Sequence, residues 1–230
     1  MSMIHRFDEL ESTQNKAREL AKEGAPDGTV VVAKTMAGGR GQHGRTWHAP
    51  EGGWYASILI RDLPDPRFLT LSLGNAVANL LEIAGAEPQL KWVNDVWVGG
   101  RKIAGILVEG ESTGADVDFL VAGIGINFNG NASDFPAPLD GSSITLEDVL
   151  GVDTCIEDTE AYILDELKAA IDKARAGENL EILNRFRARD ALQGKRVRVG
   201  DVEGVAERID ENGCLVIDGT PVQSGTVELL

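Results

Sequence analysis

Apolar and polar positions change period several times along the chain, and each change predicts an element. "STQNKARELAKEG" carries Ala17, Leu20 and Ala21 at helical spacing, with a cap at Ser12 or Thr13 and a stop at Gly24. "TVVVAK" (residues 29–34) and "WYASILIR" (54–61) are runs of apolar and β-branched residues that predict strands. A second helix is predicted to open at Pro66 and to bury Leu69, Leu73, Val77, Leu80 and Ala84 as one stripe. "QLKW" predicts a short strand, "VWVGGRKIAGILVEGE" a hairpin turning at Gly99-Gly100, and "DFLVAGIGINFN" a buried strand that runs into a polar loop. After a loop with Pro136 and Pro138, helical spacing returns at Ile163, Leu167, Ala170, Ile171 and Ala174, and "NLEILNRFRAR" continues it. From about Leu192 the pattern becomes four or five short strands between Gly, Asp, Glu and Asn turns. Such a module of about 40 residues is near the lower limit for independent folding, so it is expected to pack on the rest. The division expected is therefore residues 1–190 and 191–230.

Composition narrows the class. The chain has 230 residues with 43% apolar, enough for a real core. No apolar run has the length of a membrane span, and the charged start "MSMIHRFDEL" does not look like an export signal. Cys155 and Cys214 form no C-x-x-C pair and read as reduced, half-buried fillers of a cytoplasmic protein, and His5, His43 and His48 have no partners at metal-ligand spacing. A net charge of −15 argues against a nucleic-acid partner. Yet Gly28 to Pro50 contains no Asp or Glu, where 37 acids in 230 residues would put about four. Lys34, Arg40, Arg45, His43 and His48 lie in that gap, a cationic island suited to a small anion.

Within the island, "GGRGQHGRTWHAPEGG" contains a formal G-x-G-x-x-G at Gly39, Gly41 and Gly44. A dinucleotide fold would open a helix at the last glycine and place an acid at a second strand tip about 20 residues on. Here Pro50 and Gly52-Gly53 lead into a strand, and Asp62 and Asp65 fall in a loop. The better reading is a loop that folds over an anion, its glycines admitting close approach and Arg40 and Arg45 supplying forked donors. A second segment, "KWVNDVWVGGRKIAGILVEGE", sets Lys91, Asn94, Asp95, Lys102 and Glu109 among apolar strand residues. Lys102 either snorkels to a rim or points into a cleft, and Gly105, taken to face the same way, would leave room for a ligand beside it. Asn94-Asp95 reads as a turn or as a site whose carboxylate holds Mg²⁺ on a nucleotide.

Together these segments resemble the biotin protein ligases. The resemblance rests on G-R-G-x-x-G-R-x-W (Gly39 to Trp47), K-W-x-N-D (Lys91 to Asp95) and K-x-x-G-I-L-V-E (Lys102 to Glu109). It rests also on an S-T-N-like element at Ser12-Thr13-Gln14 and on G-x-G-x-N at Gly123 to Asn127. It implies an α+β fold with a mixed β-sheet flanked by helices, like class II aminoacyl-tRNA synthetases, and a small C-terminal SH3-like β-barrel module. The implied substrates are biotin and ATP with Mg²⁺, joined as biotinyl-AMP before transfer to a lysine of a biotin carboxyl carrier domain. The implied catalytic residues are Lys102, Arg40 and Arg45. Biotin contacts fall to Ser12, Thr13, Gln14, Met36, Arg40, Gly41, Gln42, Lys102 and Gly105. ATP contacts fall to Arg45, Trp47, Asn94, Asp95, Lys102 and Asn127, with Asp95 and Asn127 facing the nucleotide's metal. The resemblance is to the form without an N-terminal DNA-binding segment; it leaves a homodimer open and implies no membrane partner. Four positions depart from the pattern: Met36 stands for a glutamine, Gln42 for a frequent arginine, Val93 for a proline, and Gln14 for an asparagine, which keeps the amide but lengthens it. A lipoate- or octanoate-type ligase and a non-catalytic biotin or nucleotide binder remain as alternatives.

Overall fold

The computed structural model describes residues 3–113 and 116–230; the first two residues of the stretch read for an export signal lie outside them. A strand that the periodicity did not reveal, β1 (Ile4–Leu10), opens the fold, followed by α1 (Thr13–Lys22) and β2 (Val30–Met36). β1 and β2 pair in parallel, with Ile4 opposite Val30, and α1 is the crossover between them. β3 (Trp54–Ile60), β4 (Pro88–Lys91), β5 (Asp95–Val98), β6 (Arg101–Thr113) and β7 (Asp116–Ile126) complete a seven-stranded mixed sheet of order β1-β2-β3-β7-β6-β5-β4. The hairpin turn falls at Gly99-Gly100, as its glycines predict. Trp92 lies beyond β4 rather than in it.

Alternation sends each strand's side chains to two different layers. One set, including Trp54, Ala56, Ile58, Leu90, Val96, Ala104, Ile106, Ala122, Ile124 and Ile126, joins the main core. That core is closed by α2 (Leu69–Ile83), α5 (Ile156–Arg175) and α6 (Asn179–Arg187). Leu69, Leu73, Val77 and Leu80 of the α2 stripe are buried, but Ala84 lies beyond the helix end and is exposed. The buried surface of α2 is wider than that stripe: the sheet covers it on one side and α5 and α6 on another, so Leu71, Ala76, Ala78 and Leu81 are buried as well. Pro66 begins a 3₁₀ turn, capped by the Asp65 carboxylate, that precedes the helix. The opposite sheet face carries a smaller core in which Ala17 and Ala21 of α1 meet Val31, Leu59, Phe119 and Val121. α1 packs chiefly on the β2-β3-β7 part of that face. Short helices α3 (Leu139–Ser142) and α4 (Leu146–Leu150), which the sequence pattern did not predict, follow β7.

The last five strands, β8 (Arg196–Val199), β9 (Val202–Ile209), β10 (Leu215–Ile217), β11 (Thr220–Val222) and β12 (Val227–Leu229), form an antiparallel sheet of order β11-β10-β9-β8-β12. The module packs on the remainder as its small size requires. Trp92 Nε1 donates to Gly213 O at 2.9 Å, Arg187 Nε donates to Ile209 O at 2.8 Å, and Val197, Ala206 and Leu215 belong to the main core. Residues 189–191 cover the edge of β4 through Leu90 N to Arg189 O (2.7 Å) and Ala191 N to Leu90 O (2.9 Å). Both cysteines are free, but Cys155 is exposed and Cys214 buried, so neither is half-buried. Among the described residues no helix is long and apolar enough to cross a membrane.

Candidate functional site

At the N-terminal end of α1 and beyond it, the same sheet face carries glycines in place of side chains. Gly105 pairs with Gly125, and Leu107 with Gly123, across β6 and β7, so three glycines lie together on neighbouring strands. What covers them shows why no larger residue stands there. A methyl on Gly125 would lie 2.7 Å from Trp47 Cζ2, one on Gly105 2.9 Å from Trp47 Cζ3, and one on Gly123 2.7 Å from Gln14 Oε1. Trp47 therefore lies flat on a floor of bare backbone. Lys102 and Gly105 are three positions apart, and strict alternation would turn them to opposite faces. A bulge corrects this: Val96 pairs with Ala104 but Trp97 with Lys102, leaving Ile103 unpaired. The extra residue returns Lys102 to the glycine face, where its ammonium is 5.2 Å from the centroid of the Trp47 ring.

The floor and its walls enclose a cavity of about 370 Å³, within the size range of small-molecule sites. All fourteen residues that the sequence implicates line it: Ser12, Thr13, Gln14, Met36, Arg40, Gly41, Gln42, Arg45, Trp47, Asn94, Asp95, Lys102, Gly105 and Asn127. The helix start supplies one wall. Ser12 caps α1 by accepting from Asn15 N at 3.4 Å, and Met36 Sδ accepts from Thr13 N (3.4 Å) and Thr13 Oγ1 (3.6 Å). The Gln14 amide is spent on the fold itself. Its Nε2 donates to Leu107 O (3.2 Å), Val121 O (3.1 Å) and Glu109 Oε2 (3.2 Å), and the Glu109 carboxylate is paired in turn with Arg18 at 2.6 Å. Ser57, fully buried at the middle of β3, places its hydroxyl 2.9 Å from both Thr13 Oγ1 and Gln14 Oε1.

The glycine-arginine segment forms a flap over this floor. It is a self-bonded hairpin rather than a slack loop: Gly41 N donates to Arg45 O (2.7 Å) and Trp47 N to Gly39 O (2.8 Å), about a turn with His43 at φ 55 and Gly44 at φ 73. Arg40 Nη1 donates to Asn15 Oδ1 at 3.2 Å and Arg45 Nε to Gln42 O at 3.2 Å; both guanidinium groups are exposed and held at the rim. Opposite the flap lies a wall that the sequence did not reveal, made of Phe135, Leu139, Ser142 and Ser143, with the Phe135 ring 5.3 Å from that of His48.

Charge converges on Asp95. Lys102 Nζ lies 2.6 Å from its Oδ1, while Lys91, its cross-strand partner, stacks on Trp97 at 4.8 Å from the ring centroid. Burial holds the Lys91 pKa below the usual lysine range. Asn94 Nδ2 donates to Ile106 O (3.0 Å) and fixes the turn before β5. Asn127 Nδ2 donates to Ile144 O (3.2 Å), which leaves its side-chain oxygen as the acceptor end. No cluster of three or more His, Cys, Asp or Glu suited to a metal occurs among the described residues. One carboxylate and one amide oxygen on the same cavity nevertheless suit Mg²⁺ that arrives on phosphates and keeps few protein ligands. Trp47 and Trp97 line the cavity, and their indole N–H groups are buried without acceptors.

The model of the biotin/lipoate A/B protein ligase family matches residues 7–127. The Paracoccus denitrificans biotin–[acetyl-CoA-carboxylase] ligase is 33% identical over 233 residues, 94% of this chain and 93% of that one. The bifunctional ligase/repressor BirA of Bacillus subtilis is 39% identical over 149 residues, 63% of this chain; the match spans 46% of that protein, less than half its length. The solved biotin protein ligase from Aquifex aeolicus, in complex with biotin and ATP, aligns with a TM-score of 0.85 at 27% identity, covering 100% of this chain and 99% of that one.

Proposed function

The chain belongs to the biotin/lipoate A/B protein ligase family, and from that premise we propose that it is an ATP-dependent biotin protein ligase. One biotin carboxylate oxygen attacks the α-phosphorus of ATP, the bond to the β-phosphate oxygen breaks, and biotinyl-AMP and pyrophosphate result. A carrier lysine amine then attacks the acyl carbon of this mixed anhydride, and AMP leaves.

The observation that carries the reading is the Lys102 ammonium, held at a glycine floor beneath a cationic flap. Two anions must meet in the first step, and a fixed ammonium in a partly buried cavity offsets their repulsion. Lys102 is assigned to the carboxylate and α-phosphate oxygens, Arg40 and Arg45 to phosphate and flap closure. Ser12, Thr13, Met36, Gly41, Gln42 and Gly105 are assigned to the biotin side, and Trp47 and Asn94 to the nucleotide. Gln14, whose Nε2 is bonded to strand carbonyls, acts on biotin through the placement of its oxygen. Asp95 and Asn127 would hold the Mg²⁺ of the nucleotide, which when bound draws charge from the phosphates. The flap shields the anhydride from water.

The same reading includes a division at residues 190/191, a class II synthetase-like main unit, an SH3-like C-terminal module, a biotin carboxyl carrier domain as acceptor, a homodimer and a cytoplasmic setting. The separate five-stranded antiparallel sheet of the C-terminal residues supports the module in it. Incubation with ATP, Mg²⁺, biotin and a carrier domain is expected to add one biotin to the carrier by mass, and lipoate none. Lys102→Ala should abolish the addition. An unmodified carrier together with no biotinyl-AMP would refute the assignment.

A further inference from the structure

Glu109 closes the K-x-x-G-I-L-V-E segment, yet the chemistry above does not employ it, and its side chain stands outside the residues that line the cavity. It lies on β6, on the strand face it shares with Gly105 and Leu107. Glu109 Oε2 is 2.6 Å from Arg18 Nη2 and accepts from Gln14 Nε2 at 3.2 Å. Gln14 and Arg18 are four positions apart on α1, so both side chains leave the same side of the helix and meet at this one carboxylate.

The arrangement decides which end of the Gln14 amide faces the cavity. Three acceptors surround its nitrogen: the Glu109 carboxylate and the carbonyls of Leu107 and Val121, at 3.2 and 3.1 Å. With the nitrogen so held, Oε1 turns toward Ser57 and over Gly123, at the cavity floor. The ring urea of biotin carries two N–H groups, which an oxygen there can accept and an amide nitrogen would oppose. Without the carboxylate, Arg18 becomes an unneutralised group of donors beside the amide. Turning the amide over would then give Oε1 to the guanidinium. Such a charge-assisted bond is about twice as strong as a neutral one and offsets the loss of two carbonyl bonds at the long end of the range. Glu109 removes that alternative by occupying Arg18. A sister pair, Lys22 Nζ to Glu111 Oε1 at 2.8 Å, joins α1 to β6 one helical turn further on and separates anchoring of the helix from control of the amide.

We propose that Glu109 is a positioning residue for biotin: by holding Arg18 it keeps the Gln14 oxygen turned to the cavity. This rests on the ligase reading. In Glu109→Ala the Kd for biotin by titration calorimetry and the KM for biotin should both rise about tenfold or more, with the KM for ATP and the rate at saturating biotin within about threefold. Glu111→Ala breaks the sister pair and should leave the biotin Kd within about twofold. The double variant Arg18→Met/Glu109→Ala removes the competing guanidinium, so its Kd should return to within about threefold of the unaltered value. An unchanged Kd in Glu109→Ala, an equal loss in Glu111→Ala, or a double variant no better than Glu109→Ala would each overturn the positioning role and leave Glu109 as an anchor of α1. If the unaltered protein binds no biotin, the ligase reading itself fails and takes the proposal with it.

Discussion

Gly125→Ala tests the floor of the site. A methyl there would stand 2.7 Å from Trp47 Cε2 and Cζ2 and 2.9 Å from Nε1, so the indole must lift by about an ångström. The backbone at Gly125 is not in the left-handed region, so alanine carries no conformational penalty. Overpacking of this size costs about 1–3 kcal/mol. The position of Trp47 decides where that cost falls. It rides on a flap whose backbone bonds close upon itself, and it can withdraw without opening the main core on the other face of the sheet. The melting temperature should therefore stay within about 2 °C, while the closed flap becomes less populated. At about 1.4 kcal/mol per decade, biotinyl-AMP formation should fall about 5- to 150-fold. Trp47→Phe removes the atoms that meet the methyl, so the double variant should be less impaired than the two single effects combined. Adenylate formation and thermal melting on the four proteins decide the matter. An unaltered rate in Gly125→Ala, a loss of several degrees in melting, or strict additivity with Trp47→Phe would each refute this reasoning.

Gln42→Arg adds a forked cation to the cavity rim, and biotinyl-AMP should leave at least about fivefold more slowly in a chase experiment; equal off-rates would remove the idea. Ser57→Ala deprives Gln14 Oε1 of its buried donor, so urea unfolding should show a loss of about 1–3 kcal/mol together with weaker biotin binding. Unchanged affinity would detach Ser57 from the site. Tyr55 is buried, and desolvation raises its pKa well above the ordinary 10.0. The folded chain therefore keeps the phenol proton that the unfolded chain gives up, and stability present below pH 10 is lost as pH rises beyond it, by up to about 1.4 kcal/mol per pH unit. Tyr55→Phe should unfold less steeply than the parent between pH 10 and pH 11, although it loses the bond to Pro50 O; parallel curves would contradict the cause given.

The site was readable where chemistry is local in the chain. Lys102 and Asp95 lie in a short segment whose charged residues contradict their apolar surroundings, and the flap arginines lie in a glycine-rich stretch free of acids; such local contradictions mark function. Gly105 shares the face of Lys102, but alternation does not predict this for residues three apart; the bulge at Ile103 that produces it is a property of pairing with β5, which single-strand periodicity cannot carry. Ser57 looked like one small polar residue in a buried run; only α1, more than forty residues earlier in the chain, gives its hydroxyl partners. β1 escaped notice because it is a sheet-edge strand, half exposed on both faces, so "IHRFDEL" shows little alternation. The Phe135–Ser143 wall likewise depends on the return of the chain to Lys102, where Ile144 N donates to Lys102 O at 2.9 Å.

The three neighbouring glycines have a consequence for how occupancy would register in the protein. Their amides belong to central strands of the sheet, yet on one side they are covered by the indole, the Lys102 side chain, the glutamine oxygen and the contents of the cavity. A small molecule settling there acts as the missing tile of a side-chain layer. The slowing of deuterium uptake on binding should be greatest at the centre of the sheet, at Gly105, Gly123 and Gly125, rather than at the helices of the opposite layer.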